Sequence, residues 1–494
     1  MSIYLGSNKV KLTQIKTEIV ESPYAGQILD GTISGVYSNS RVTIIGSQAF
    51  KGCDRITSIN LPQVVSIKGQ AFCECYTLFS MNLPLVQSIG IKAFERCSSL
   101  TLIDLPQAIS IAQQAFVQCS NLTTINLPNI SYIGISAFEK CEKLTIVSLS
   151  QLKSIGTSAF SSCIGLISIN LPQVTSIPAT AFIYCYNLTS VSLPQVKTIG
   201  SSAFASCSAL TVVDLPQVSY IASYAFRNCI SLTTINIPQI SVYIGDGAFA
   251  SCYNLISINL SLISTIYDYV FSDCYNLISV SGVAIKKIRN YAFNNCSGLT
   301  SINFPQITSI GDGAFCGCIN LTFINLSQVL SIGTIAFQSC FRLTSLDLPQ
   351  ATYIGGSAFS SCIGLISINL PQVISINYYA FYHCDNLTSI NCPQVQSIGS
   401  SAFNACYNLT SLNLPQVNYI GNSAFNYCYN LTSLNLSGIS SIPSLGSVVF
   451  LSTPIGGYSA SAGQYGSIYV PASLYNDFLT AKNWSNYSSR IVSI

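Results

Sequence analysis

Eighteen of the 21 cysteines stand three residues after a phenylalanine, spaced by 22 residues from Cys53 to Cys229 and again from Cys252 to Cys428. A row of equivalent thiols could bridge in pairs or hold a metal, because thiolate is both nucleophile and soft ligand. The regularity argues for packing instead. Free Cys behaves as a small hydrophobe, and a position that is Cys beside Phe in every copy is set by the space available to it. Two C-x-C pairs, Cys73 with Cys75 and Cys316 with Cys318, lack histidine partners or a second pair at metal-ligand spacing. Cys392 takes the place of a strand leucine. No metal or cofactor is expected.

Proton-transfer chemistry is equally poorly supplied. The chain has one histidine, His383, just before Cys384 in a variable turn position. Asp104, Asp214 and Asp347 share one strand position, ten residues past Phe, but they are isolated substitutions in a row of Asn, five or six repeats apart. They cannot act as a catalytic pair. No G-x-x-x-x-G-K, G-x-S-x-G or H-E-x-x-H sequence is present. Enzyme activity and catalytic residues are therefore not expected.

Composition narrows the partners further. Charged residues make up 7% of the chain, with 20 Lys+Arg against 17 Asp+Glu, too few and too dispersed to form a phosphate-binding surface. Nucleic acid is an unexpected partner. Hydrophobic residues reach 49%, yet Ser, Thr, Asn or Gln interrupts them every two or three positions, so no run of about 18 apolar residues is available to insert into a membrane. A soluble product is expected. The opening "MSIYLGSNKVKLTQIK" has neither an apolar core nor a small-residue cleavage site, which predicts synthesis that ends in a cytoplasm.

The elements that must position these residues follow from the period. Phenylalanines recur every 22 residues from Phe50 to Phe226 and, after one inserted residue, from Phe249 to Phe425. Leu or Ile stands six past each Phe, an aliphatic residue nine past, and usually Leu eleven past. "LTSINLPQV" alternates apolar and polar residues and then meets Pro, which cannot donate to a ladder; this predicts a short strand ended by a turn. One such unit cannot bury its apolar face alone. Stacked units can, with their strands paired in parallel. The expected fold is a β-rich solenoid of about 18 repeats, on the order of 85 Å long at about 4.8 Å per coil. Two irregularities, "ISVYIGDG" at 240–247 and "SVSGVAIKKIRN" at 279–290, where Gly282 takes a leucine position, are expected to bend it.

The phrase Leu-x-x-Ile-x-Leu-Pro, then Ile-Gly, then Ala-Phe-x-x-Cys resembles the BspA-type leucine-rich repeat over residues 41 to about 442. The resemblance implies a right-handed coil with a main parallel sheet on one face and short bridges or turns on the other. It also implies surface and adhesion proteins, or prophage and phage structural proteins, as the setting. The ends carry a second resemblance: "IYLGSNKVKL" is similar to short β-segments that open phage tail and appendage proteins, and the closing segment resembles that of bacterial and phage proteins bearing this repeat.

The binding candidates lie on the surface. Ten past Phe, the outward strand position is Asn in twelve repeats, Asp in three and Ser in three; eight past, it is Ser or Thr in fourteen. Stacked amides can hydrogen-bond along such a row, and Gln173, Gln195, Gln217, Gln372, Gln394 and Gln416 after the Pro are expected to do likewise. The position after the repeat Cys is tyrosine at Tyr76, Tyr186, Tyr253, Tyr275, Tyr407 and Tyr429, a row suited to sugar or protein surfaces. Phe204, Cys207, Phe226, Cys229 and Trp484 are expected in the core. The N-x-[ST] triplets are repeat positions and carry no information on glycosylation.

Three segments are expected: 1–40 as an N-terminal β cap or attachment segment, 41–442 as the solenoid, and 443–494 as a C-terminal cap with a loop, a strand and a short helix built on Leu474, Phe478 and Leu479. These readings predict a non-enzymatic recognition scaffold on a phage virion, assembled in the bacterial cytoplasm and facing a host-surface protein or glycan. Residues 1–40 would dock to other virion proteins. A bacterial cell-surface adhesin is the alternative, and a self-assembling fibre subunit, a homo-oligomer, is a third.

Overall fold

The structure is a computed structural model that describes residues 35–458 and 465–494, together with the strand backbones Ser2–Leu5, Asn8–Lys11 and Glu18–Ile19. The attachment role expected of residues 1–40 falls for the most part outside the described residues, as does the middle of the Ser/Gly-rich loop at 459–464. The chain divides into two compact units, Met1–Cys252 and Tyr253–Ile494. Each is a parallel β-solenoid of 22-residue coils.

One coil of the first unit shows how sequence becomes shape. Ser190–Ser192 is the central strand, pairing in parallel with Ser168–Asn170 one coil earlier so that Val191 lies over Ile169. Leu193-Pro-Gln-Val196 then closes a four-residue turn in which the Val196 N–H donates to the Leu193 carbonyl, with Pro at the position where its fixed φ belongs. Thr198–Ile199 forms a second, two-residue strand that pairs with Ser176–Ile177 and Tyr220–Ile221. Gly200 follows because a Cβ there would sit 2.5 Å from the Ala179 nitrogen of the coil below.

The Ala-Phe-x-x-Cys segment is a chain of tight turns. Ala203, Ala205 and Cys207 donate within the coil, while Ser202, Phe204 and Ser206 donate to carbonyls of the next coil. This alternation needs a left-handed residue on either side of Phe: Ser202 has φ 53° and Ser206 φ 62°. The same two positions are left-handed in other coils whether they hold Gln48, Lys92, Tyr269 or Gly313.

The interior is a set of columns. Phenylalanine rings stack nearly parallel at 4.9–5.6 Å from Phe50 to Phe249 in the first unit. In the second they stack at 5.2–5.7 Å from Phe271 to Phe450. Phe204, Cys207, Phe226 and Cys229 are wholly buried. The inserted residue near 240 leaves the register intact, with Tyr220 opposite Tyr243 and Ile221 opposite Ile244, and Val242 bulges outward to 67% exposure. At Gly282 the leucine side chain is missing, and a Cβ there would sit 2.9 Å from the Ile285 Cγ1.

Both ladders run on beyond the expected repeat limits. Glu18–Ile19 pairs with Ile44–Ile45, Gly35–Ser38 pairs with Ile56–Asn60, and the Tyr37 ring lies 5.0 Å from Phe50. At the other end Ser467–Val470 adds to Ser433–Asn435, and Ile491–Ser493 adds to that strand. The expected amphipathic helix is shorter and less apolar than its spacing suggested. Leu474 belongs to a 3-10 turn, the α-helix is Tyr475–Thr480, and Phe478 is its only buried residue. Trp484 completes the cap, buried, with its ring 5.1 Å from Phe478 and its Nε1–H donating to the Pro443 carbonyl at 2.7 Å.

Replacing Phe204 by Ala removes a ring stacked on both sides and opens a cavity between coils. Its expected cost is about 3–5 kcal/mol. Hydrogen exchange should show amide protection lost first in the coils that carry Phe182 and Phe226, and unchanged protection there would refute the stacked-column account.

Candidate functional site

Thiol chemistry is closed off by geometry. In coil after coil the repeat thiol donates to the carbonyl of the Phe one coil below: Cys185 to Phe160 at 3.2 Å, Cys207 to Phe182 at 3.2 Å, Cys406 to Phe381 at 3.1 Å. That carbonyl already accepts the N–H of its own coil's Cys, so the thiol fills its second lone pair. The donor role explains why Cys stands at this position where Ala or Val would give volume alone. Burial pushes the Cys185, Cys229 and Cys362 thiols up to about 12. Cys392, in a strand leucine's place, is likewise buried and raised to about 12 by burial. Cys73 rises to about 11 through burial and then the Glu95 carboxylate, and Cys316 is half-buried. Among the described residues, no three His, Cys, Asp or Glu side chains come together as a metal site would require.

The outward strand positions form directional ladders. In the first unit Asn82 donates to Asn60 at 2.8 Å, Asn126 to Asp104 at 2.9 Å and Asn236 to Asp214 at 2.8 Å. In the second, Asn369 donates to Asp347 at 2.8 Å and Asn391 to Asn369 at 2.7 Å. The amide always donates to the rung before it, and a carboxylate can only accept, so each Asp begins a run. The sequence carries this, since every one of the three Asp is followed 22 residues later by Asn. Strands Ser345–Asp347, Ser367–Asn369 and Ser389–Asn391 line an open groove of about 490 Å³ whose outward side chains are hydroxyls, amides and one carboxylate. The Gln row bonds in part, through Gln416 to Gln394 at 3.1 Å and Gln173 to Gln151 at 3.2 Å.

The six tyrosines after the repeat Cys do not form one row. Tyr253 stacks on Tyr275 at 5.1 Å and Tyr407 on Tyr429 at 5.3 Å, both pairs in the second unit. Tyr76 and Tyr186 stand in coils whose neighbours at that position are Asp54, Ser98, Ile164 and Ser208, and only Tyr186 meets another ring, Tyr184 at 6.0 Å. Stacking also uses up ring faces: what Tyr407 and Tyr429 offer solvent is mainly edge and hydroxyl. Two aromatic columns escaped the sequence reading, Tyr269 on Tyr291 at 5.1 Å two residues before Phe and Tyr220 on Tyr243 at 5.3 Å six before. Aligning every repeat position, and not only the one after Cys, would have found them. His383 is left-handed at φ 54°, its Nδ1 is 3.3 Å from Asp385 Oδ1, and its ring stands edge-on to Tyr382 and Tyr407.

The repeat matches the BspA type Leucine rich repeat region over residues 43–167, 175–299, 286–395 and 352–459. The chain belongs to the BspA-type leucine-rich repeat family. Among solved structures it is similar to a leucine-rich repeat protein from Bacteroides ovatus (20% identity, 100% of this chain and 98% of that one, TM-score 0.31). It is also similar to a leucine rich cell surface protein from Faecalibacterium prausnitzii (24% identity, 79% and 94%, TM-score 0.36), and to the T. pallidum leucine-rich repeat protein (28% identity, 34% and 72%, TM-score 0.28). No curated protein sequence matches it. Family membership rests on the repeat match, not on these superpositions.

For this BspA-type chain the thiol column predicts a defined alkaline limit. Unfolded thiols lose their protons near 9, whereas burial holds Cys185 and Cys229 up to about 12 and raises Cys207 and other repeat thiols well above their ordinary value, so the native state holds more protons across that interval. Stability is full below pH 9 and falls as pH climbs toward 12. Circular dichroism should show cooperative alkaline unfolding in that window, and a thiol reagent at pH 8 should leave the repeat cysteines unmodified until denaturant is added. Rapid native modification would contradict the buried column.

Proposed function

We propose that the chain is a non-enzymatic adhesion scaffold of the bacterial cell surface, using its neutral ladders of amides, hydroxyls and tyrosines to contact host-surface proteins or glycans. The observation that carries this reading is the surface of the repeat. Its side-chain columns are satisfied coil to coil along the stack, yet each amide keeps a second N–H and each hydroxyl a lone pair for a partner. Such a surface gives many weak, identically spaced contacts, which favours extended partners over a small substrate. The family's association with surface and adhesion proteins supports the location.

The virion reading drew on the opening segment "IYLGSNKVKL", and the closing segment resembles that of bacterial and phage proteins alike. The side chains of the first lie outside the described residues, and the second is a cap that closes the solenoid core, so neither speaks for a particle. Self-association into fibres remains a competing use of the same neutral faces, and solution mass separates it from adhesion.

The test is surface labelling with binding. Antibody should label intact producing cells, brief external protease should remove the signal, and the purified protein should bind host cells. Protein confined to cytoplasm or to phage particles would overturn the reading. Within that assay, Tyr407→Ala with Tyr429→Ala should leave the fold intact and weaken host-cell binding several-fold, in proportion to the roughly 0.5–1.5 kcal/mol that an aromatic contact contributes.

A further inference from the structure

We infer that the turn side of the coils around His383, Tyr407 and Tyr427 is a binding site for a linear neutral oligosaccharide lying along the stack of coils. The inference rests on the adhesion reading and narrows it to one ligand class at one place.

Ring orientation is the first argument. Tyr407 and Tyr429 stack coil on coil at 10°, so their normals run along the stack and their faces cover one another. His383 stands at 88° to Tyr407, and Tyr427 at 69° to Tyr429. The rings of His383 and Tyr427 are therefore turned across the stack, and both are partly open to solvent, where a ligand can lie against them, with Tyr382 at right angles to His383 on one side. These two rings occupy the same repeat position two coils apart, and the Ala405 between them is buried. Beside them the column after the tyrosines is an amide ladder, Asn430 donating to Asn408 at 3.3 Å and Asn408 to Asn386 at 3.2 Å.

Charge is the second. From residue 378 to 458 the only side chains with charge to offer are Asp385 and, when protonated, His383, and these two contact each other. No lysine or arginine lies in that stretch to pair with a phosphate, a sulfate or a carboxylate. A ligand matched to lateral ring faces, phenolic hydroxyls and amides repeating once per coil is itself neutral, rich in hydroxyls, apolar on one face and periodic. A chain of pyranoses has those properties: its axial C–H groups pack on rings and its hydroxyls exchange hydrogen bonds with amides in both directions. A proline-rich peptide would use the rings, and its carbonyls could accept the second N–H of the ladder amides, but it has no donors for the amide and phenolic oxygens, whereas a sugar hydroxyl both donates and accepts.

The intact protein is screened against immobilised short oligomers of glucose, galactose, mannose and xylose, with a proline-rich peptide alongside. His383→Ala with Tyr427→Ala keeps the backbone, because Ala405 already holds this repeat position at φ 61°. The expected result is binding to at least one neutral oligosaccharide, weakened about tenfold in the double variant with an unchanged circular dichroism spectrum. Saturation-transfer NMR on the wild type should place sugar C–H protons against aromatic protons without relying on any variant. No neutral sugar bound, equal binding by the variant, or binding of the peptide alone would each overturn the inference. If host-cell adhesion persists when sugar binding is absent, the saccharide site fails and the adhesion reading stands; if adhesion is also absent, both fail.

Discussion

The stack turns on one contact, repeated in coil after coil: a phenylalanine carbonyl that accepts the N–H of its own coil's cysteine and the thiol of the next. A carbonyl with both lone pairs used, buried under a stacked ring, fixes the distance and the register between neighbouring coils together. Once that register is set at one repeat length, every other position must lie over its equivalent. The amide ladders, the tyrosine stacks and the left-handed columns are consequences of that overlay, not separate designs.

The overlay also sets the energetic terms. A left-handed non-glycine residue costs about 1–2 kcal/mol, and two per coil would be prohibitive in an isolated turn. Between stacked coils such residues donate their N–H to the next coil, as Ser202 does to Ser223 and Ser206 to Arg227. The strain is tolerated because a relaxed conformation would leave a donor and an acceptor unpaired in two coils. This explains why residues as unlike as Lys92, Tyr269 and Asp273 all adopt it: the requirement comes from the neighbouring coil, not from the side chain.

The same reasoning decides what could be read from sequence. Phe, Cys and the aliphatic positions were legible because an enclosed column admits only one size and polarity, so the repeat spells them out. The left-handed positions were not, since they vary freely and only a few, among them Gly52, Gly313, Asn228 and Asn295, carry the Gly or Asn that normally marks them. The thiol's role as donor was hidden because its acceptor is a backbone atom 25 residues away. The tyrosine clustering was half legible: single columns showed, but the group around His383 draws on positions two before, one, two and four after Phe, which no one-column reading assembles. In the C-terminal cap, helical spacing pointed to Leu474, Phe478 and Leu479. There the chain turns after only six helical residues, because the buried volume over Phe450 is filled by Trp484 and Tyr487.

A ladder of amides has a direction, and direction has a consequence for recognition. Because each Asn donates toward the N-terminal side, every run starts at a rung whose side chain only needs to accept and ends at a rung whose carbonyl oxygen receives no amide from the next. Asp104, Asp214 and Asp347 occupy the starting rungs, so the few charges on the main sheet mark where runs begin. Between those marks the row is neutral, Asn with an occasional Ser; at them a carboxylate and a break in the ladder coincide. On a surface otherwise built from near-identical repeats, such interruptions give fixed points against which a partner can be placed in register.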